Sequence, residues 1–275
     1  MVVSEIHYPA SVADLLYLQR ENPAILLYAG GTEILRERGT RFVDLPPVIA
    51  LIDGIQELKS ISRSEGFVDL GAGLKISELL AIKKGTLPES LVRNLRGIAT
   101  PAIRNLATLG GNLATRRRFM DCWSILACLD ATIELRDGAG PRWINANRLA
   151  DDAGKPAFPV GALLTKVRVP LERWTHGTTK KLGNQAWPSD ESATFSMIAR
   201  VEKGMVESIR MAWAGTTAFR FPELEGRVIG LRLPFDPEDR EAIVEGFAEA
   251  AAELDPNSAP RFARIVDATL ELLGK

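Results

Sequence analysis

The chain has 275 residues, and its 34 Lys plus Arg against 35 Asp plus Glu leave a formal net charge of −1. With 46% hydrophobic and 25% charged residues it is neither disordered in composition nor basic enough for a dedicated nucleic-acid binder, which needs positive surface to neutralise phosphates. Cys122 and Cys128 are the only cysteines, which excludes a disulfide framework and a cysteine metal cluster.

In chain order, Ser11 is placed to N-cap a helix carrying Val12, Leu15 and Leu16, which Pro23 ends. Ala24 to Ala29 has the length of a buried strand; Gly30-Gly31 breaks it, Thr32 to Leu35 opens a helix, and Val48 to Ile52 reads as a second strand. Ile61 to Ser64 and Val68 to Leu70 flank a hairpin turn at Glu65-Gly66. Ser77 to Ile82, Pro88 to Leu95 and Asp121 to Leu129 are helical in pattern, Thr132 to Leu135 is a strand, and Asp137 to Pro141 a turn. Leu163 to Val169 is a strand stopped by Pro170. The polar stretch 173–192 reads as a connecting loop at a subdomain boundary. Phe195 to Val201 and Val206 to Ala214 form a second hairpin around Lys203-Gly204, and Arg240 to Leu254 and Phe262 to Leu273 are helices. This order predicts α+β layers rather than one doubly wound sheet. No apolar run approaches the ~18 residues of a membrane span. The N-terminus lacks the pattern of a signal peptide, so a cytoplasmic location is expected.

Two glycine pairs carry the chemistry. In the segment 26–39, a strand ends at Gly30-Gly31 and a helix starts at Thr32. Glycines let the backbone approach a ligand, and the amides and dipole of a helix start favour an anion such as pyrophosphate. On these residues alone, an anion cradle and a plain tight turn stand level. The pattern is not G-x-G-x-x-G and lacks the Lys of a Walker loop. Gly110-Gly111-Asn112 is a second turn expected to be rich in backbone donors, with Thr108 and Thr115 nearby. Two such turns suggest a long ligand with two phosphates lying between two lobes; two unrelated loops are the alternative.

Ala-Gly-Gly-Thr-Glu at Ala29 to Glu33 and Ile-Arg-Asn-x-Ala-Thr-Leu-Gly-Gly-Asn-Leu-Ala at Ile103 to Ala114 resemble the two FAD motifs of the flavin-binding subunit of molybdenum hydroxylases, the xanthine dehydrogenase and carbon monoxide dehydrogenase type. Leu126 to Ala131, Gly161 to Pro170, Ala193 to Arg200 and Arg210 to Gly215 resemble later segments of that family, so the likeness spans most of the chain. It implies a two-lobed FAD-binding domain of the PCMH, vanillyl-alcohol-oxidase-like type at 1–170, with lobes at about 1–55 and 56–170. A C-terminal antiparallel sheet with helices follows at 171–275. Carried across, the first FAD loop is Leu27, Ala29, Gly30, Gly31, Thr32, Glu33 and Ile34. The second is Ala107, Thr108, Gly110, Gly111, Asn112, Ala114 and Thr115. Ile98, Ala99 and Ile103 would lie along the cofactor, Asp121 would receive one of its polar groups, and Leu163 and Leu164 would wall it. Lys180 would be a basic group near the flavin.

The sequence departs from the family in two places. Arg116-Arg117-Arg118 replaces Ala-Ser-Pro; it is either an anion or partner contact or a solvated basic turn. Thr179 replaces an aromatic, which leaves Trp123 or Trp187 as flavin cover or, more commonly for tryptophan, as core. His7 and His176 form no metal pair, and Asp236 to Arg240 reads as an acid-rich helix start. The resemblance implies an oxidoreductase subunit that passes electrons from iron–sulfur centres through FAD to NAD⁺ or another acceptor. Its partners would be an iron–sulfur subunit and a molybdopterin-binding subunit, with no nucleic acid. A non-catalytic nucleotide-binding or assembly module and a stand-alone FAD-dependent NAD(P)H reductase are the alternatives; flavin absorption and partner-free NAD(P)H oxidation separate the three.

Overall fold

The computed structural model describes residues 3–38, 45–183, 189 and 191–274. After strand β1 (Glu5–His7), Ser11 and Asp14 close a reciprocal capping box, and helix α1 (Val12–Glu21) starts there. Strand β2 (Leu26–Tyr28), helix α2 (Thr32–Arg38) and strand β3 (Val48–Leu51) follow. The three strands pair in parallel in the order β1-β3-β2, a pairing that requires crossovers of the kind α1 and α2 supply. Strand β1 was not foreseen; at three half-exposed residues it is too short for a periodic signal. The core of this lobe joins Val12, Leu15, Ile25, Ala50, Ile55 and Leu58 to one distant residue, Leu163.

The second lobe begins with the expected hairpin, β4 (Ile61–Arg63) and β5 (Phe67–Gly71). Short helices α3 (Ile76–Ala81), α4 (Glu89–Arg96), α5 (Pro101–Arg104), α6 (Leu109–Leu113) and α7 (Asp121–Cys128) precede β6 (Thr132–Asp137), β7 (Gly140–Asn145) and β8 (Leu163–Pro170). The five strands form an antiparallel sheet in the order β4-β5-β8-β6-β7. Val68, Leu70, Ile133, Leu135, Val167 and Val169 point to its core face. On the other face Arg168 grips Asp69 through two bonds of 2.7 and 3.0 Å, with its guanidinium 3.9 Å from the Phe67 ring centre and 4.4 Å from that of Trp143.

The stretch 173–192 is not simply a connecting loop. It contains β9 (His176–Leu182), which pairs antiparallel with β10 (Ala193–Glu202); β11 (Met205–Ala214) and β12 (Ala218–Arg220) complete a sheet in the order β12-β11-β10-β9. β9 is an edge strand of Thr and Lys, so it lacks the apolar alternation that marks a half-buried strand. The turn between β10 and β11 needs two left-handed residues and has them, Lys203 at φ 51° and Gly204 at φ 77°. Helices α8 (Pro222–Val228), α9 (Pro237–Leu254) and α10 (Ala259–Leu273) close the chain. Phe195, Met197 and Trp213 face the core shared with Phe247 and Phe262, whereas Ile198 and Ala212 join the core of the second lobe. β10 and β11 were legible because their residues alternate on either side of the Lys203-Gly204 turn.

Helix α7 lies between the second lobe and this sheet, and all eight of its residues are buried. Burial pushes the Cys122 and Cys128 thiols up, so both stay neutral and unreactive. The end of α7 is joined to the C-terminal sheet by Arg220. It donates to Ala127 O at 2.9 Å, to Asp130 at 2.5 Å, and to both oxygens of Glu225 at 2.8 to 3.1 Å. Burial alone would weaken the Arg220 charge, but the bonds and charge of Glu225 hold its pKa above the ordinary value. Among the described residues no helix is long and apolar enough to cross a membrane. Because its removal breaks the bidentate half of the buried Arg220 pairing and leaves Met211 N without its acceptor, Glu225→Ala is expected to lose about 3 kcal/mol of unfolding free energy in urea. An unchanged midpoint would contradict this joint.

Candidate cofactor site at two glycine turns

The first glycine turn meets, through backbone, the residues that lead into the second some eighty residues later in sequence. A Cβ at Gly30 would stand 1.9 Å from Leu106 O and 3.1 Å from Ala107 N, so only glycine lets the first turn lie against the approach to the second. Gly31 has φ +65°, and the Tyr28 hydroxyl lies 2.0 Å from where its Cβ would be. Among the described residues, the Gly31 and Thr32 amides donate to no main-chain carbonyl.

The second turn differs from expectation. It is the short helix α6, capped by Thr108, and its amides are engaged. Leu109 N donates to Leu74 O at 2.9 Å, Gly110 N to Ala72 O at 2.7 Å, Gly111 N to Thr108 Oγ1 at 3.0 Å and Asn112 N to Thr108 O at 3.0 Å. Gly110 is glycine because its Cβ would sit 2.8 Å from that of Ala72. Gly111 is exposed, with only the Thr108 hydroxyl close to its Cβ position. Asn112 Oδ1 accepts from Cys122 N at 2.9 Å and starts α7; Thr115 donates to Arg118 O at 2.5 Å.

The remaining expected residues fall in several environments. Ala29, Thr32, Glu33, Ile34 and Ala114 are half-buried, and Ala107 is buried. Leu27 packs on the first-lobe core. Ile98 is buried; Ala99 has φ 40°, a strained value held by Arg104, which donates to Ile98 O at 2.6 Å and Ala99 O at 3.1 Å. Ile103 is 37% and Leu106 53% exposed, large apolar side chains left at the seam. Leu163 and Leu164 point to opposite faces of β8 and enter different cores, one in each lobe. Trp123 is core, 2% exposed and bonded to Ala146 O at 3.0 Å; Trp187 lies outside the described residues.

Asp121 opens α7 with both oxygens engaged, Oδ2 by Lys181 Nζ at 3.1 Å and Oδ1 by Thr194 Oγ1 at 2.6 Å. Lys180, the expected basic residue, is exposed, and its neighbour Lys181 turns inward. Side chains alternate along a strand, so the two lysines of β9 face opposite ways. Lys181, Thr194, Tyr28 and Arg104 were not picked out from sequence; only a strand assignment for 176–182 could have selected Lys181. Of the three arginines, Arg116 and Arg117 are exposed and Arg118 is buried. Among the described residues no group of three or more His, Cys, Asp or Glu could hold a metal ion.

These residues fit a diphosphate-bearing cofactor: a seam closed by backbone at Gly30, amides at Gly31 and Thr32 without main-chain acceptors among the described residues, and exposed apolar Ile103 and Leu106 for flat rings. Gly30→Ala is expected to lose about 1–3 kcal/mol of stability by overpacking. Gly54→Ala, whose Cβ meets nothing within 4 Å, serves as the control in the same melting experiment. Equal melting temperatures for the two variants would contradict the close approach.

A family model described as the FAD binding domain in molybdopterin dehydrogenase matches residues 2–172. The chain is 30% identical over 179 residues to a nicotinate hydroxylase of Emericella nidulans, covering 59% of this chain but spanning only 13% of that relative's length. It is 26% identical over 259 residues to the xanthine dehydrogenase FAD-binding subunit of Escherichia coli O157:H7, covering 90% of this chain and 85% of the relative. The carbon monoxide dehydrogenase structure from Hydrogenophaga pseudoflava shares the fold with a TM-score of 0.81 at 22% identity, over 100% of this chain and 98% of that one. With the matched segment holding both glycine turns and the seam between them, the chain belongs to the family of FAD-binding domains of molybdopterin dehydrogenases.

Proposed function

We propose that this chain is the FAD-binding electron-transfer subunit of a multi-subunit molybdenum hydroxylase. An iron–sulfur subunit and a molybdopterin-binding subunit are its partners, and NAD⁺ or another acceptor is the outlet for electrons. The observation that supports the reading is the backbone contact of Gly30 with Leu106 and Ala107, which sets the first glycine turn against the residues just before the second. The family includes proteins named as FAD-binding subunits of xanthine dehydrogenase, which supports a subunit role. When bound, FAD supplies the redox chemistry; no acid or base side chain is required for it.

The residues of the chain divide the remaining work. The Gly31 and Thr32 amides, with the Thr32 hydroxyl, hold the diphosphate against the seam. Leu27, Ala29, Gly30, Glu33 and Ile34 shape the first loop; Ala107, Thr108, Gly110, Gly111, Asn112, Ala114 and Thr115 shape the second. Ile98, Ala99 and Ile103, with Leu106, line the apolar part, and Leu163 and Leu164 back it from the β8 end. Asp121 receives a polar group of the cofactor, which a carboxylate with four acceptor sites can do while bonded to Lys181 and Thr194. Lys181, in place of Lys180, supplies the positive charge that favours a reduced, anionic ring. The FAD-binding domain is placed at 1–170, with lobes at about 1–55 and 56–170, and the C-terminal domain at 171–275. Separate sheets support that division, while side chains cross it, Leu58 and Leu163 into the first-lobe core and Ile198, Ala212, Ala214 and Ala218 into that of the second lobe.

The test is purification of the intact complex from its native source, with flavin, iron and molybdenum measured against this chain. The reading expects one FAD per chain and both metals in the same particle. A colourless chain that takes up no added FAD overturns it. In the same preparation Lys181→Met is expected to lower the flavin midpoint potential more than Lys180→Met does. Equal potentials in the two variants remove Lys181 from the site.

A further inference from the structure

Arg118 stands where the resembled family has proline, and it is only 6% exposed. A buried guanidinium is destabilising unless it is bonded on its terminal nitrogens. Here Nη1 donates to Ser189 O and Nη2 donates to Ser192 O at 2.5 Å, both in the segment that enters β10. The Arg118 carbonyl accepts from Thr115 at 2.5 Å, and the next amide, Phe119 N, donates to Gly215 O at 2.7 Å. The chain leading from the second glycine turn to α7 is thus tied to the segments flanking β10 and β11 by the Arg118 side chain and the Phe119 amide, while Thr115 closes the loop on itself.

Asp121 follows three residues later and is held by Lys181 on β9 and Thr194 on β10. The same two stretches of chain are therefore spanned twice, once by Arg118 and once by the Asp121 pair. Ser189 and Ser192 are themselves joined, Ser189 N donating to Ser192 Oγ at 2.9 Å, so the acceptor side of the bracket is preorganised. Arg118, Asp121, Lys181, Ser192 and Thr194 line one cavity of only about 10 Å³. These groups are packed against one another, so a shift of one is passed to the next. A guanidinium can bridge two carbonyls in a fixed fork, which a lysine point charge cannot do.

We infer that Arg118 is a positioning residue for the FAD site. It spaces the loop carrying Asp121 against the β9–β10 edge so that Asp121 and Lys181 meet, and it acts on the cofactor only through that pair. The inference rests on the reading above that Asp121 receives a polar group of FAD.

The experiment uses the full chain with FAD as the probe, titrated by quenching of flavin fluorescence and read also by visible circular dichroism. Four proteins are compared: wild type, Arg118→Lys, Asp121→Asn and the double variant. Arg118→Lys is expected to weaken FAD binding ~10-fold, the scale of one lost bond to a charged group, and to change the flavin dichroism. In the Asp121→Asn background the same change is expected to add nothing, because the route to the cofactor is already cut. Wild-type FAD binding by Arg118→Lys overturns the inference, and so does an equal loss in both backgrounds, which marks a general structural role. Wild-type affinity and dichroism in Asp121→Asn alone overturn instead the placement of Asp121 at the cofactor, and the inference with it. Should Arg118→Lys not fold, Arg118→Gln keeps one donor arm without a buried charge and is read by the same comparisons.

Discussion

The arrangement depends on one close approach of backbone to backbone. At Gly30 there is no room for even a methyl group, because Leu106 O occupies the place. That contact joins a parallel three-stranded lobe to an antiparallel five-stranded one, beside the Gly31 and Thr32 amides, which donate to no main-chain carbonyl among the described residues. A side chain at position 30 would separate the lobes by about the width of that group, and the turns would no longer address one ligand. Leu163 reinforces the joint: it stays paired with β6 in the sheet of the second lobe while its side chain completes the core of the first.

The two turns are not equivalent partners. Among the described residues Gly31 and Thr32 keep amides without main-chain acceptors, whereas the amides from Leu109 to Asn112 are engaged with Leu74, Ala72 and Thr108. The second turn therefore contributes shape and rigidity more than donors. Its side chains follow the same rule: Thr108 caps α6, Asn112 starts α7 and Thr115 fixes the loop beyond. Rigidity of this kind suits a cofactor whose electron transfer depends on a fixed position, since the chemistry belongs to the flavin and the protein sets its surroundings.

Much of this was legible in the residues. Ser11, the Gly30-Gly31 break, the Lys203-Gly204 turn and the apolar runs of β8, β10 and β11 each announce an element through local chemistry. The missing elements lack such signals. Strand β9 is a polar edge with nothing to bury on one side, β7 carries Arg and Pro between its turn and Trp143, and β1 and β12 have three residues each. The candidate site was legible where backbone comes close at Gly30, because glycine leaves a mark in sequence. It was not legible where it depends on which way a side chain turns. Lys180 and Lys181 are indistinguishable as letters, and the buried role of Arg118 is set by carbonyls some seventy residues away.

The most direct measurement of the central claim is amide hydrogen exchange in the full chain during titration with FAD. Convergence of the turns predicts that residues 29–34 and residues 98–111 gain protection together, at the same FAD concentration. Protection confined to one of the two segments, or rising at a different concentration in each, would contradict it.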